Sequence, residues 1–131
     1  MIGIRGAVTV EKDTIEDIKE ATIRLMDALI KENSLIPEKM ISILFTATKD
    51  LKAAYPGRFL RENMGITEVP LLHFQEMHVE GALEKCIRVM VYYEASIKAI
   101  PVYLGEASKL RPDLFHQGTS QEPLSDLAEK M

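Results

Sequence analysis

An α+β fold, with one long amphipathic helix laid on a sheet of five strands, follows from three features of this 131-residue chain. Short runs rich in β-branched and aromatic residues are separated by Gly, Pro and polar clusters, which is strand punctuation. A single stretch, Asp13 to Asn33, repeats its apolar residues at helical spacing instead. The run Cys86 to Tyr93 is apolar on both faces, with Cys86, Met90 and Tyr92 on one and Ile87, Val89 and Val91 on the other. One helix covers only one face of a sheet, and nothing else in the chain can cover the second. A homo-oligomer packed sheet to sheet is therefore expected, with Arg88 on one of the buried sides.

The first strand is Ile2 to Val10, where Gly3 and Gly6 point to close backbone approach or a bulge near Arg5. Asp13-Thr14 then supply an N-cap, Glu16 and Asp17 place acid in the first turn, and Ile15, Ile18, Leu25 and Leu29 define the apolar stripe. Pro37 ends helical possibilities, and Met40 to Thr48 returns to strand chemistry. Pro56, Gly57 and the segment Arg58 to Arg61 read as a short helix or 3₁₀ turn closed by Gly65, with Arg58 and Arg61 on one side of it. Val69 to Met77, Lys85 to Tyr93 and the shorter Pro101 to Leu104 complete the strands. Beyond Leu114 the chain has little to bury, so 1–114 is expected to form the single domain and 115–131 a flexible tail.

Composition narrows the function classes. A net charge of −4 and no Lys/Arg run argue against nucleic acid, because neutralising phosphates needs a basic face. No segment approaches a membrane span or a signal peptide, which makes cytoplasm the expected compartment and leaves no membrane partner. Cys86 is the single cysteine and reads as a buried strand thiol. His73, Glu76 and His78 make too sparse a set for a metal, so no metal is assigned. There is no G-x-S-x-G, and Gly3-Ile-Arg-Gly6 is too short to cradle phosphates, so neither a nucleophile nor a cofactor is expected.

Three charges interrupt apolar runs: Arg5, Glu76 and Arg88. A lone buried charge costs several kcal/mol (roughly) unless it is compensated, so these groups must meet one another, a ligand or a subunit boundary. One reading is an ion pair between neighbouring strands, Arg88 with Glu76. The other is a site for a small dianion: two guanidinium groups against one carboxylate leave a positive surplus, and the guanidinium fork suits carboxylates. Alternation puts Glu76 on one side of its strand with Leu72 and Phe74, and His73 on the opposite side.

Four separated segments, GIRGAVTV at 3–10, QEM at 75–77, KCIRVM at 85–90, and VYL at 102–104 followed by LRPDL at 110–114, resemble the monofunctional AroH-type chorismate mutases in order and spacing. The resemblance covers about residues 1–114. It implies a five-stranded mixed sheet with one long helix, a trimeric pseudo-α/β-barrel, and active sites at subunit clefts. It also implies the Claisen rearrangement of chorismate to prephenate, a step toward phenylalanine and tyrosine, with no cofactor.

A pericyclic shift of this kind needs no covalent intermediate and no proton transfer. The protein has to hold the dicarboxylate in its compact form and stabilise the charge that separates as the C–O bond breaks. An acceleration of about 10⁶-fold asks for about 8 kcal/mol, within reach of a few charge-assisted hydrogen bonds. By resemblance Arg88 donates to the ether oxygen and to a carboxylate, Glu76 accepts from the ring hydroxyl, and Arg5 and Tyr103 grip a carboxylate. Leu72, His73, Tyr55, Gly57, Arg58 and Arg61 match pocket and rim positions, and Leu110 with Arg111 matches a lid-like segment. The chain departs from the family pattern at His73, where a cysteine is expected, and at Tyr55, where a phenylalanine is expected. For His73 and Glu76 to reach one ligand, the third strand has to bend between them. Two rivals are a non-catalytic trimeric sensor of a small anionic metabolite, and a trimeric imine deaminase of the Rid type. The second leaves the combination of Glu76 with Tyr103 unexplained.

Overall fold

The computed structural model describes residues 1–109. Five strands, β1 (Ile2–Thr9), β2 (Met40–Ala47), β3 (Leu71–Gln75), β4 (Cys86–Tyr93) and β5 (Val102–Leu104), form one sheet in the order β3-β2-β4-β1-β5. The sheet is mixed: β4 runs antiparallel to both β1 and β2, whereas β1–β5 and β2–β3 are parallel. Helix α1 (Ile15–Asn33) packs along one face, and α2 (Arg58–Asn63) lies in the crossover between β2 and β3. Short 3₁₀ turns at Pro37–Lys39 and Gly105–Lys109 were not foreseen from the sequence. Among the described residues no helix is long and apolar enough to cross a membrane.

Helix α1 starts where its cap dictates, Thr14 being extended and its hydroxyl accepting from the Asp17 N–H. Its buried positions, Ile18, Ala21, Thr22, Leu25, Met26 and Leu29, follow the 3.6-residue period. Ile15, expected in that stripe, is exposed because it sits in the first turn, before the helix meets the sheet. The stripe rests on Ile4, Val8, Ile43, Phe45, Ile87, Val89 and Val91, the alternate residues of three central strands. Gly6 lies under the helix, where a Cβ would stand 3.0 Å from Leu25 Cδ1 and from the Val102 carbonyl oxygen. Close approach thus accounts for this glycine, and no bulge is needed, since β1 pairs with β4 without a break from Ile2↔Tyr93 to Thr9↔Cys86.

Polar clasps hold the ends of the elements. Asn33, buried at the last turn of α1, donates to the Leu29 and Ile100 carbonyls and accepts from the Ile100 N–H, tying the helix to the chain that enters β5. Asp50 accepts from the Thr48 hydroxyl and the Lys85 N–H, joining the end of β2 to the start of β4. Burial works to raise the Asp50 carboxyl, but these hydrogen bonds outweigh it and hold the group below its ordinary range.

Candidate active site

The face of the sheet away from α1 carries the candidate site. Pairing registers line up one residue from each strand into a row across it: Phe74 (β3), Thr46 (β2), Arg88 (β4), Ala7 (β1) and Tyr103 (β5). The next row holds Leu72, Leu44, Met90 and Arg5. Ala7, fully buried, is small enough to let Arg88 and Tyr103 flank it on either side. Arg5, Glu76, Arg88 and Tyr103 line one cavity of about 500 Å³ together with apolar side chains that include Leu44, Phe74 and Met90.

Glu76 follows β3 directly, and its N–H continues the ladder by donating to the Ala47 carbonyl. Its Oε1 accepts from the Thr46 hydroxyl at 2.9 Å and lies 3.0 Å from Arg88 Nε. The sequence reading of an ion pair between these residues holds, with a correction to the geometry. The strands that carry them are not neighbours, because β2 runs between, and the pair reaches across Thr46. The Arg88 side chain is 45% exposed and that of Glu76 27% exposed, so their attraction contributes on the order of 1 kcal/mol or less to stability. Arg5 makes no ion pair among the described residues, so the cavity keeps the surplus positive charge of one guanidinium. Cys86, 2% exposed on the same side, is pushed up by burial, with Arg88 opposing; it is a packed thiol as expected.

Phe74 and Leu72 on this face remain 51% and 59% exposed, an unusual state for large apolar side chains aligned with Leu44, Met90 and Tyr92. Nothing in the chain's described residues covers them.

A family model described as chorismate mutase type I matches residues 1–114. The chain belongs to that family. Two similar relatives are both named chorismate mutase AroH. That of Bacillus subtilis strain 168 is 44% identical over 115 residues, spanning 86% of this chain and 91% of the relative. That of Thermus thermophilus is 40% identical over 116 residues, spanning 86% and 94%. A solved chorismate mutase from Clostridium thermocellum superposes with a TM-score of 0.80 at 40% identity, covering 83% of this chain and 99% of that one. The mixed five-stranded sheet with one long helix is the fold shared with that structure.

Within this chorismate mutase fold Leu72 shares the face of the charged row, and other resemblance-based positions lie apart from it. Tyr55, Arg58 and His73 line a separate cavity of about 600 Å³, which shares Phe74 with the first. Arg58 is held by Glu62, its Nε donating to Oε2 at 2.7 Å, and lies over the Phe59 ring. Gly57 caps α2 and packs on β3, and Gly65 closes the helix in the left-handed region at φ 68°, as anticipated. β3 pairs with β2 without a bulge from Leu71 to Gln75, so the bend that would turn His73 toward Glu76 is absent. The two side chains point to opposite faces of the sheet. Leu110, Arg111 and the 115–131 tail lie outside the described residues.

Thr46 is the site residue that sequence reasoning missed. A threonine in a strand is ordinary, and only the register that sets it between Phe74 and Arg88 shows that it holds Glu76.

Proposed function

We propose that the Arg88 row is the catalytic half of a chorismate mutase site, in which residues 1–114 form the catalytic domain. Rearrangement of chorismate to prephenate is the activity of the family to which the chain belongs. The observation that carries the site assignment is the convergence of Arg5, Glu76, Arg88 and Tyr103 on one cavity of a size suited to a small ligand.

Each group has a role matched to its chemistry. Arg88, with Nε against Glu76, offers its remaining donors to the ether oxygen as negative charge grows there, and to a carboxylate. Glu76, oriented by Thr46, accepts from the ring hydroxyl and faces the part of the substrate that becomes electron-poor. Arg5 and Tyr103 grip a carboxylate and hold the compact conformer, and Leu72 packs beside it. No protein group gives or takes a proton, and no cofactor takes part.

The uncovered face supports a homotrimer with the sites at subunit boundaries. Packing a second copy there removes Leu72 and Phe74 from water and dries the cavity, which strengthens every charge inside it. It also lets Tyr55, Gly57, Arg58 and Arg61 of one protomer border the row of another, which the position of Tyr55 and Arg58 in a separate cavity of the same chain requires if they are to serve the substrate. Cytoplasm is the compartment that fits this assignment. An ultraviolet assay of chorismate consumption tests it: the native chain turns over and Arg88→Ala loses most of that turnover, while an anion sensor would bind chorismate without consuming it.

A further inference from the structure

His73 has a partner of its own. Its ring stacks on Phe45, with centroids 5.6 Å apart and planes 12° from parallel, and Tyr55 tilts against it at 5.0 Å. Its Nε2 accepts from the Gly57 N–H at 2.9 Å. Gly57 opens α2 and is seated so closely on β3 that a Cβ there would stand 2.4 Å from Leu71 Cδ2 and 2.9 Å from His73 Cε1. The segment that carries Tyr55, Arg58 and Arg61 is thus held to β3 by the close seating of Gly57 on Leu71 and, through this imidazole, by one backbone N–H and one aromatic contact.

We infer that His73 is a positioning residue, whose neutral ring holds the Tyr55–Arg61 segment in place through Nε2 and the Gly57 N–H and so sets the rim of the substrate pocket. The inference rests on the proposed chorismate mutase reading for the function of that rim. It replaces a direct contact between His73 and the substrate. The fastening requires an unprotonated Nε2, because imidazolium has donors at both nitrogens and would set a donor against a donor.

The surroundings favour the neutral ring. Facing it across the second cavity are Arg58, tied to Glu62, together with Lys49, Lys52 and the phenol of Tyr55. Phe45 of β2 beneath it is uncharged. Burial first, and then the Arg61 charge, hold the imidazole below its ordinary value. A group with a depressed folded value contributes fully above its unfolded pKa, about 6.5, and its contribution is lost as pH falls through the folded value. The rim is therefore fixed at neutral pH and released in acid.

Nuclear magnetic resonance of the ¹⁵N-labelled full chain, titrated without substrate, reads the fastening directly. The expected result is that the Gly57 amide shift follows the His73 ring with one midpoint below 6.5, about the unperturbed value. Two variants carry it to function. His73→Gln keeps a carbonyl acceptor that does not titrate, and is expected to keep KM near the native value with a flat acid limb. His73→Phe keeps the stack without the acceptor. It is expected to raise KM about fivefold more than it lowers kcat, and to speed Gly57 amide exchange at every pH. A Gly57 amide indifferent to the His73 titration, or a His73→Phe enzyme with the native KM and native acid limb, overturns the inference. Loss of the chorismate reading alone would show as a native chain without turnover, and the coupled titration would still decide whether His73 holds the segment.

Discussion

The two faces of the sheet are made from the same strands and differ in almost every physical respect. Ile4, Val8, Ile43, Phe45, Ile87, Val89 and Val91 point to α1 and form a closed apolar core. Their immediate neighbours along the strands, Arg5, Leu44, Thr46, Arg88 and Met90, point the other way and line an open cavity with charge in it. On the proposed assignment of the site, a period of two separates stability from chemistry, one residue at a time. Substitutions one position apart should therefore fail in different assays.

The largest expected effect is on the open face. Arg88→Ala should lower kcat/KM by about 10²- to 10³-fold or more, the range for removing one donor to a developing oxyanion, while stability changes by about 1 kcal/mol or less. Steady-state kinetics and urea unfolding on the same preparation check both halves. A mutant that unfolds early would merge the two faces and break the contrast.

On the closed face Leu29→Ala should do the reverse. Removing a fully buried leucine costs about 2–5 kcal/mol by lost transfer energy and a cavity, read as a lower urea midpoint, with kcat per folded molecule unchanged. Between the two stands Thr46→Val, which preserves shape and strand preference and removes the hydroxyl that holds Glu76. A net hydrogen bond of about 1 kcal/mol translates to about a fivefold loss of kcat/KM, with the melting temperature nearly unchanged.

The smallest effect concerns acid. Asp50 is held below its ordinary range by hydrogen bonds to its charged form, so its contribution is complete above the unfolded carboxylate value, about 3.9, and is lost as pH falls through the folded one. Asp50→Asn should lower stability near neutrality by that contribution and flatten the stability curve in the acid window, where the native chain loses it anyway, as thermal melts across pH would record.

Much of this was legible in the residues. The helix could be read from its cap and stripe, and the strands from their alternation, because both are local signals. The order of strands was not, since pairing β4 between β1 and β2 depends on contacts tens of residues apart along the chain. The site shows the same division. Arg5, Glu76 and Arg88 stood out because charges in apolar runs are costly, and the resemblance added Tyr103. Thr46 and Asn33 did not stand out: their partners, a carboxylate on another strand and the backbone of Ile100, become visible only in three dimensions. Strand alternation places His73 opposite Glu76, as found, but nothing in sequence foretells its bond to the N–H of Gly57, 16 residues away.

The central claim is that the open face works by the placement of a planar, multiply donating cation and not by positive charge alone. The kcat of Arg88→Lys tests it most directly, with the melting temperature as control. Lysine keeps the charge but cannot serve an ether oxygen and a carboxylate together, so most of the activity should disappear from a protein that melts as the native one does. A lysine variant turning over at close to the native rate would contradict the account.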